Sequence, residues 1–252
     1  MAGKRVAVAG GTGVLGRYVV EVARRRGHDV MVLARSEGVD LTSGEGLAGR
    51  LDGVDVVVDA TSVGTTRRSA AESFFGDVTR HLLAAEREAG VGHHVAVSIV
   101  GIDDVPYGYY YGKRLQERLI AEGDVPWTVL RATQFHEFTG QVLEFARVGP
   151  ISMVPRMLSQ PVAAVEVAEA LVGFAETGPA ARAPDLAGPE RLDMVDLARR
   201  VVKARGLGRR VVPVWVPGRA GRGMRSGALT PSSDGPRGRI GFQAWLEGGS
   251  GY

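Results

Sequence analysis

A cluster of glycines directly after a short apolar run is the feature that most constrains the fold of this chain. The run is Val6–Ala9, the glycines are Gly10, Gly13 and Gly16, and a helical pattern opens at Leu15. Glycines at this spacing allow a tight strand-to-helix turn, a close approach of the backbone to a pyrophosphate, and close packing of the helix on the sheet. We therefore predict a dinucleotide-binding turn whose backbone N–H groups hold the phosphates. The residues predicted to contact the cofactor are Gly10, Thr12, Gly13, Val14, Leu15 and Gly16.

Strand-like and helix-like segments alternate in the first part of the chain, as in βαβ units. The predicted strands are Arg5–Ala9, Asp29–Ala34, Val54–Ala60, His94–Val100 and Trp127–Arg131. Helices are predicted at 14–26, 43–51, 70–90, 109–122 and 134–147. This order predicts an α/β fold with a doubly wound, Rossmann-like parallel sheet over residues 1–148, and a ligand site at the carboxyl ends of its strands.

After residue 148 the pattern changes, because prolines divide the chain into short pieces. We predict that residues 149–252 form a smaller substrate-binding cap that packs on the first part and does not fold independently. It is expected to contain helices at 165–176 and 193–205, and a strand over Arg210–Val216. Phe242, Trp245 and Leu246 are expected to form an apolar closing turn.

The net charge of +3 conceals a basic segment near the end of the chain. Residues 201–252 hold nine Lys and Arg against Asp234 and Glu247, a local charge of +7. The arginines of segment 217–239 are interleaved with Gly, Pro and Ser and lack an aromatic series, which favours a solvated flexible loop or a lid over an anionic cofactor rather than a nucleic-acid surface. With no cysteine and no long apolar run, we expect a cytoplasmic protein with no membrane or nucleic-acid partner.

The end of the second predicted strand bears on which nicotinamide cofactor is bound. An acid there binds a ribose 2′-hydroxyl and repels a 2′-phosphate, but this chain has Arg35 and Ser36. Because both side chains can bind a phosphate, NADP(H) is favoured over NAD(H), although an ordinary surface arginine is the alternative. Asp40 and Leu41 are predicted to approach the adenine, although a turn-forming aspartate explains Asp40 nearly as well. Ala60 and Thr61, at the end of the third predicted strand, are also predicted to contact the cofactor, although loop closure alone explains such small residues equally well.

Tyr109 and Lys113 lie four residues apart and therefore share one face of a predicted helix. A nearby ammonium and an oxidised nicotinamide both favour the phenolate, which brings a phenol of pKa about 10 toward useful acidity. The lysine can also hold the ribose hydroxyls of the cofactor. This pair predicts proton transfer coupled to hydride transfer.

These motifs resemble the short-chain dehydrogenase/reductase superfamily, and most closely its atypical, NmrA-like NAD(P)H-binding branch. The resemblance extends over nearly the whole chain through Gly10–Gly16, Asp40–Leu47, His93–Gly101, Tyr109–Lys113 and Leu130–Phe135, and weakly through Leu229–Pro231 and Phe242–Leu246. It implies that Tyr109 is the general acid, Lys113 holds the ribose, and Ser98 polarises a carbonyl. The chain departs from many catalytic members at Ile99 and Val100, where those proteins place Ser or Thr.

The predicted function is NADPH-dependent reduction of a small carbonyl or quinone-like substrate, uncharged and aromatic or polyketide-like. Val100, Gln134 and Phe135 are the predicted substrate contacts, and His136 is expected to be structural. A non-catalytic NADP(H) sensor of the NmrA-like type is one alternative. A sugar-nucleotide epimerase or dehydratase is another, ranked last because such enzymes usually carry a larger substrate lobe. No metal site is expected, because His93 and His94 point to opposite faces of a strand.

Overall fold

The computed structural model describes residues 3–248. Its strands are β1 (Arg5–Ala9), β2 (Asp29–Leu33), β3 (Val56–Asp59), β4 (His93–Ile99), β5 (Trp127–Ala132), β6 (Arg147–Val148), β7 (Ile151–Pro155), β8 (Leu158–Ser159), β9 (Ala181–Arg182), β10 (Leu192–Asp193) and β11 (Arg210–Val214). Its α-helices are α1 (Val14–Arg25), α2 (Arg68–Ala89), α3 (Gly108–Glu122), α4 (Phe138–Phe145), α5 (Ala164–Thr177), α6 (Met194–Ala204), α7 (Gly218–Ser226) and α8 (Phe242–Glu247).

The main sheet has six strands in the order β2-β1-β3-β4-β5-β9. The pairings of β1 with β2, β1 with β3, β3 with β4, and β5 with β9 are parallel. The chain passes from β1 to its neighbour β2 on one side and then crosses back to β3 on the other side of β1. This reversal creates a crevice at the carboxyl end of β1, where open α/β sheets bind ligands. The predicted Rossmann-like α/β fold is confirmed.

Helix α2 shows why the apolar periodicity was a reliable guide here. Phe75, Val78 and Leu82 are fully buried at the spacing of one helix face, and α2 packs along α3. Gly90 ends the helix in the left-handed region with φ of 71°. The observed helix therefore agrees closely with the helix predicted at 70–90.

The helix predicted at 43–51 is wrong, because this segment is a series of turns. Gly44, Gly46 and Gly49 all have positive φ, which a helix does not accommodate. Leu47 and Leu51 are nevertheless buried and contribute to the core around β1 and α2. Their spacing of four residues produced the helix-like pattern.

The helix predicted at 134–147 is too long, because α4 begins only at Phe138. The backbone before it forms a single parallel β-bridge between Phe135 and Val162, followed by a turn. Val162 N–H donates to the Gln134 carbonyl, and His136 N–H donates to the Val162 carbonyl. A tertiary hydrogen-bond partner far along the chain therefore overrides the local preference for helix.

The chain divides into two compact units. The first contains the residues up to Ser98 together with Tyr107–Arg131 and Val165–Ala183. The second contains Ile99–Pro106, Ala132–Ala164 and the residues from Pro184 onward. The separate prediction of a cap beginning at residue 149 stays a prediction.

Two small sheets lie in the second unit, one with the order β11-β7-β6 and one pairing β10 with β8. Of the two alternatives for 217–239, the flexible loop is wrong in its first part, which forms α7, and the lid over a cofactor stays a prediction. Helix α6 begins at the predicted cap, since the Asp193 carboxylate accepts a hydrogen bond from Val195 N–H at 2.8 Å. None of the helices within residues 3–248 is long and apolar enough to cross a membrane.

Candidate cofactor and catalytic site

The glycine turn after β1 has no room for side chains at its key positions. Gly10 has φ of 72°, and a Cβ there would lie 3.0 Å from the Cα of Thr61. A Cβ on Gly16 would lie 2.1 Å from the Gly10 carbonyl oxygen. Gly13 N–H donates to that same oxygen at 2.9 Å, which closes the turn. The turn thus requires glycine at both ends for steric reasons.

Helix α1 begins with backbone N–H groups that no side chain caps. Gly13 occupies the N-cap position without a side-chain hydrogen bond, and the first turn contains no acidic residue. Such an end attracts anions, because the N–H groups and the helix dipole both present positive charge. The turn therefore fits a dinucleotide pyrophosphate. Thr12 is exposed and Val14 is half-buried, whereas Leu15 is buried in the core.

The residues after β2 are placed on the surface. Arg35 and Ser36 are both exposed in a short 3-10 turn, and Ala34 is the residue between that turn and the strand. The absence of an acid at the strand end, together with an exposed guanidinium, is compatible with a 2′-phosphate.

Asp40 closes a local turn. Its carboxylate accepts hydrogen bonds from Thr42 N–H at 2.9 Å and from Thr42 Oγ1 at 2.6 Å. These hydrogen bonds lower the pKa of Asp40. The turn-forming role that the sequence left open is therefore observed, and Leu41 beside it is 8% exposed. The adenine contact of Asp40 and Leu41 stays a prediction.

Ala60 and Thr61 lie directly beside the glycine turn. Ala60 N–H donates to the Ala9 carbonyl, and both residues are buried. Thr61 is held by Asp59, whose carboxylate oxygen Oδ1 accepts hydrogen bonds from Thr61 N–H at 2.9 Å and Thr61 Oγ1 at 2.6 Å. The structure thus brings together two segments that the sequence predicted to share the cofactor.

Tyr109 lies in the first turn of α3 with its phenol oxygen 2.9 Å from Ser62 Oγ. Its ring makes an edge-on contact with Phe75, with centroids 5.4 Å apart. Burial raises the pKa of Tyr109 to about 12, and the hydrogen bond with Ser62 opposes this rise only in part. The phenol is therefore a weaker acid than a free tyrosine, which is opposite to the direction predicted from the sequence for the pair with an oxidised nicotinamide beside it.

Lys113 lies one turn further along α3 and is 3% exposed. Its ammonium donates to Gln116 Oε1, and Gln116 Nε2 in turn donates to Asp59 Oδ2 at 2.7 Å. The ammonium also lies 4.6 Å from the centroid of the Phe75 ring. Burial lowers the pKa of Lys113 to about 8, although Asp59 and Glu117 favour the charged form. A chain of hydrogen bonds therefore connects Lys113 to the end of β3, where Thr61 begins the loop.

Ser98 is buried near the end of β4, beside the carboxylate of Glu117. Burial opposes ionisation of Glu117, but Arg131 above all lowers the pKa of this carboxyl, and the Ser98 hydroxyl adds to that effect without reaching the geometry of a hydrogen bond. Arg131 binds the same carboxylate through Nε at 2.8 Å and Nη2 at 2.7 Å, and Arg182 Nη2 lies 2.8 Å from it. Ser98 therefore lies next to an ion-paired cluster that connects α3, β5 and β9, and its carbonyl-polarising role stays a prediction.

The three predicted substrate residues lie in the second unit. Val100 is buried, Phe135 is half-buried, and the buried Gln134 accepts a hydrogen bond from Ser159 Oγ at 3.1 Å. Their substrate contacts stay predictions. His136 is fully buried, lies 2.9 Å from the Ile240 carbonyl through Nε2, and packs on Phe242, as expected of a structural residue.

His93 and His94 have different partners on the two faces of β4. His93 Nε2 lies 2.8 Å from Thr128 Oγ1, and burial lowers the pKa of His93 to about 4. Burial of His94 opposes its charged form, but the Glu86 carboxylate, 2.8 Å from Nδ1, outweighs this and raises its pKa. Within residues 3–248, no three His, Cys, Asp or Glu side chains are grouped so as to hold a metal ion.

Sequence reasoning missed three contributors to this site. Ser62 is the partner of Tyr109, Gln116 connects Lys113 to Asp59, and Glu117 gathers two arginines. A signal for two of them was present, because Gln116 and Glu117 follow Lys113 by three and four residues and so lie near it on α3. Ser62 carried no comparable signal.

The geometry agrees with what comparison with known proteins shows. A family model described as NAD(P)H-binding matches residues 38–173. The photosystem II assembly factor Ycf39 of Synechocystis sp. is 28% identical over 146 residues, which cover 52% of this chain and 45% of that protein. The chain therefore matches somewhat less than half the length of this curated relative.

Solved structures show the same fold at lower identity. TunA, an NAD-dependent NDP-hexosamine 5,6-dehydratase of tunicamycin biosynthesis, superposes with a TM-score of 0.71 at 16% identity over 97% of this chain and 95% of its own. The dTDP-4-dehydrorhamnose reductase of Bacillus anthracis, solved in complex with NADP, superposes with a TM-score of 0.68 at 14% identity over 84% of each chain.

Proposed function

This chain belongs to the NAD(P)H-binding family of the NmrA-like, atypical short-chain dehydrogenase/reductase type, and from that premise we propose that it is an NADPH-dependent reductase of a small carbonyl or quinone-like compound. The observation that carries the proposal is the phenol of Tyr109, whose oxygen lies 2.9 Å from Ser62 Oγ, one helical turn from the buried ammonium of Lys113. Reduction of a carbonyl needs a proton donor at the substrate oxygen, and Tyr109 holds such a proton at neutral pH.

The glycine turn after β1 would hold the pyrophosphate of the nicotinamide cofactor, which when bound would supply a hydride to the carbonyl carbon. Tyr109 gives its phenolic proton to the oxygen on which negative charge develops, so that one hydride and one proton convert the carbonyl to an alcohol. Ser62 holds the phenol oxygen in position through its hydroxyl. The charge of Lys113 stabilises the phenolate that remains, and Asp59 keeps the lysine in place through Gln116.

The preference for NADPH over NADH belongs to this proposal. It is supported by the exposed Arg35 and Ser36 beyond β2 and by Ala34, which stands where an acid would repel a 2′-phosphate. The substitution Arg35→Gln is expected to weaken NADPH binding about tenfold, the loss of one charge-assisted pair, and to leave NADH binding unchanged. Arg24→Gln, at an exposed arginine of α1, is the matched control. A wild-type protein that binds NADH more tightly than NADPH in a fluorescence titration would refute this preference.

A non-catalytic, cofactor-dependent regulator is the second candidate, and the similarity to Ycf39 supports it because that protein is an assembly factor. The two candidates differ in whether the phenol of Tyr109 is needed. A regulator that only reads the bound cofactor has no use for a proton donor, whereas a reductase does.

The decisive experiment measures NADPH oxidation with a panel of aromatic ketones and quinones, comparing Tyr109→Phe with wild type. The reductase proposal expects Tyr109→Phe to lose most of kcat, about a hundredfold or more, with unchanged NADPH affinity. Tyr111→Phe, the same change two residues along α3, is the control and should keep full activity. Equal turnover in wild type and Tyr109→Phe would reject Tyr109 as the acid.

An epimerase or dehydratase of sugar nucleotides is tested by the same assay with a second panel. The size of this chain does not argue against it, because TunA aligns over 95% of its own length. Turnover of sugar nucleotides alone, with no reduction of uncharged carbonyls, would replace the proposed reductase.

A further inference from the structure

A cavity of about 290 Å³ lies entirely within the second unit and belongs to none of the cofactor or catalytic residues described above. It is lined by Arg156, Met157, Leu158, Asp193, Trp215 and Arg225. We propose that this cavity, hereafter the Trp215 pocket, binds a planar aromatic ring that carries a carboxylate or phosphate group. The proposal does not depend on the proposed reductase activity.

Trp215 supplies the aromatic surface of the pocket. Its side chain follows β11 and is 67% exposed, which is unusual for the largest apolar side chain. An exposed indole offers a flat apolar face on which a planar ring gains by stacking. The thioether of the buried Met157 and the half-buried Leu158 add apolar wall beside it.

Two guanidinium groups supply positive charge around the same indole. Arg225 lies 4.5 Å and Arg156 lies 5.9 Å from the centroid of the Trp215 ring. Within residues 3–248, the side chain of Arg156 makes no hydrogen bond or ion pair. Its planar fork is therefore available for a carboxylate or phosphate, which it can bind through two parallel hydrogen bonds.

The walls of the pocket are fixed by backbone hydrogen bonds. Arg156 N–H donates to the Val214 carbonyl at 3.0 Å, and Met194 N–H donates to the Met157 carbonyl at 2.9 Å. Arg225 Nη1 donates to the Val216 carbonyl at 3.2 Å, which holds this arginine at the end of β11. A site held in this way needs little reorganisation to bind a ligand.

The charge of the pocket favours an anion over a cation. Asp193 is the one acidic residue among the lining residues, and its Oδ1 already caps α6. The two arginines therefore leave a net positive charge. The volume is at the small end for ligand sites, which favours a compound with one or two rings.

The test uses the indole N–H resonances of the three tryptophans, Trp127, Trp215 and Trp245, assigned by single Trp→Phe variants. Phenyl phosphate and benzoate are the ring-bearing anions, benzamide is the uncharged ring, and inorganic phosphate is the anion without a ring. We expect both ring-bearing anions to shift the Trp215 resonance at millimolar concentration while Trp127 stays unchanged. Benzamide and inorganic phosphate should shift it far less.

The variant Arg156→Gln should weaken binding of phenyl phosphate about fivefold to tenfold, the effect of losing one charge-assisted hydrogen-bonded pair at a partly exposed site. Arg219→Gln removes the same charge from the exposed start of α7, outside the pocket, and should leave the affinity unchanged. Trp215→Leu, followed by calorimetry, should abolish measurable binding.

Three results would overturn the proposal. The first is a Trp215 resonance that does not move with phenyl phosphate up to about 10 mM, well above the affinity expected of a one-ring ligand. The second is an equal loss of affinity in Arg156→Gln and Arg219→Gln, which would indicate general charge attraction. The third is an equal response to inorganic phosphate and phenyl phosphate, which would show that the ring contributes nothing.

Discussion

The phenol oxygen of Tyr109 and the hydroxyl oxygen of Ser62 lie 2.9 Å apart, although the two residues are 47 positions apart in the chain. Ser62 stands in the loop after β3, and Tyr109 stands in the first turn of α3. The hydrogen bond lowers the pKa of Tyr109 against the larger effect of burial. Ser62 is therefore the side chain that tunes the candidate proton donor.

Replacement of Ser62 by Ala should raise the pKa of Tyr109 above its present value of about 12, because the opposing hydrogen bond is lost. Tyrosinate absorbance in alkaline titration, with Tyr109→Phe subtracted, measures this change. If Tyr109 is the acid, kcat should also fall, by about tenfold and less than in Tyr109→Phe. Ser69→Ala, at an exposed serine near the start of α2, should change neither quantity. An unchanged pKa in Ser62→Ala would contradict the role given to Ser62.

Replacement of Asp59 by Asn should destabilise the protein by about 3 kcal/mol, as expected when one member of a buried charged network is removed. The amide cannot accept hydrogen bonds from Thr61 and Gln116 with the strength of a carboxylate, and the buried ammonium of Lys113 loses a neighbouring negative charge. Urea unfolding measures the loss, with the exposed Asp52→Asn as control. A loss equal to that of the control would show that the network contributes little.

Two Gly→Ala changes within helices should have opposite effects. Gly16→Ala places a Cβ 2.1 Å from the Gly10 carbonyl oxygen, so it should destabilise the protein by about 1–3 kcal/mol and weaken NADPH binding. Gly173→Ala, in α5 with open space around it, should stabilise by about 0.5–1 kcal/mol. Thermal unfolding with and without NADPH distinguishes the two. Similar behaviour of both variants would mean that the turn has room to relax.

Acid should destabilise the protein partly through His93. Its pKa is about 4 in the folded chain and 6.5 when unperturbed, so protons bind the unfolded chain first as the pH falls. The stability from neutral His93 is present above pH 6.5 and is lost as the pH falls toward 4. His93→Gln keeps a polar partner for Thr128 without titrating.

Between about pH 7 and about pH 5, wild type should therefore lose about 2 kcal/mol more than His93→Gln. Urea unfolding at the two pH values measures this difference. Parallel loss of stability in the two proteins would show that groups other than His93 account for the acid sensitivity.

Local sequence patterns predicted much of the first unit correctly. The glycine spacing after β1 and the apolar periodicity of α2 both act over a few residues, and both were observed as predicted. The same kind of pattern gave a wrong helix prediction at 43–51. The buried Leu47 and Leu51 have the spacing of a helix face, but the glycines of this segment take positive φ. The pattern failed again at 134–137, where Phe135 forms a β-bridge with Val162 through two hydrogen bonds.

The sequence by itself determined the parallel α/β fold, the glycine turn after β1 and the placing of Tyr109 and Lys113 on one helix, because strand and helix periods and glycine sterics are local properties. Only the tertiary structure decided the partners of these side chains. Ser62 meets Tyr109 across 47 residues, and Asp59 meets Gln116 across 57. Burial within that packing then set the pKa values of the phenol and the ammonium, which no local pattern contains.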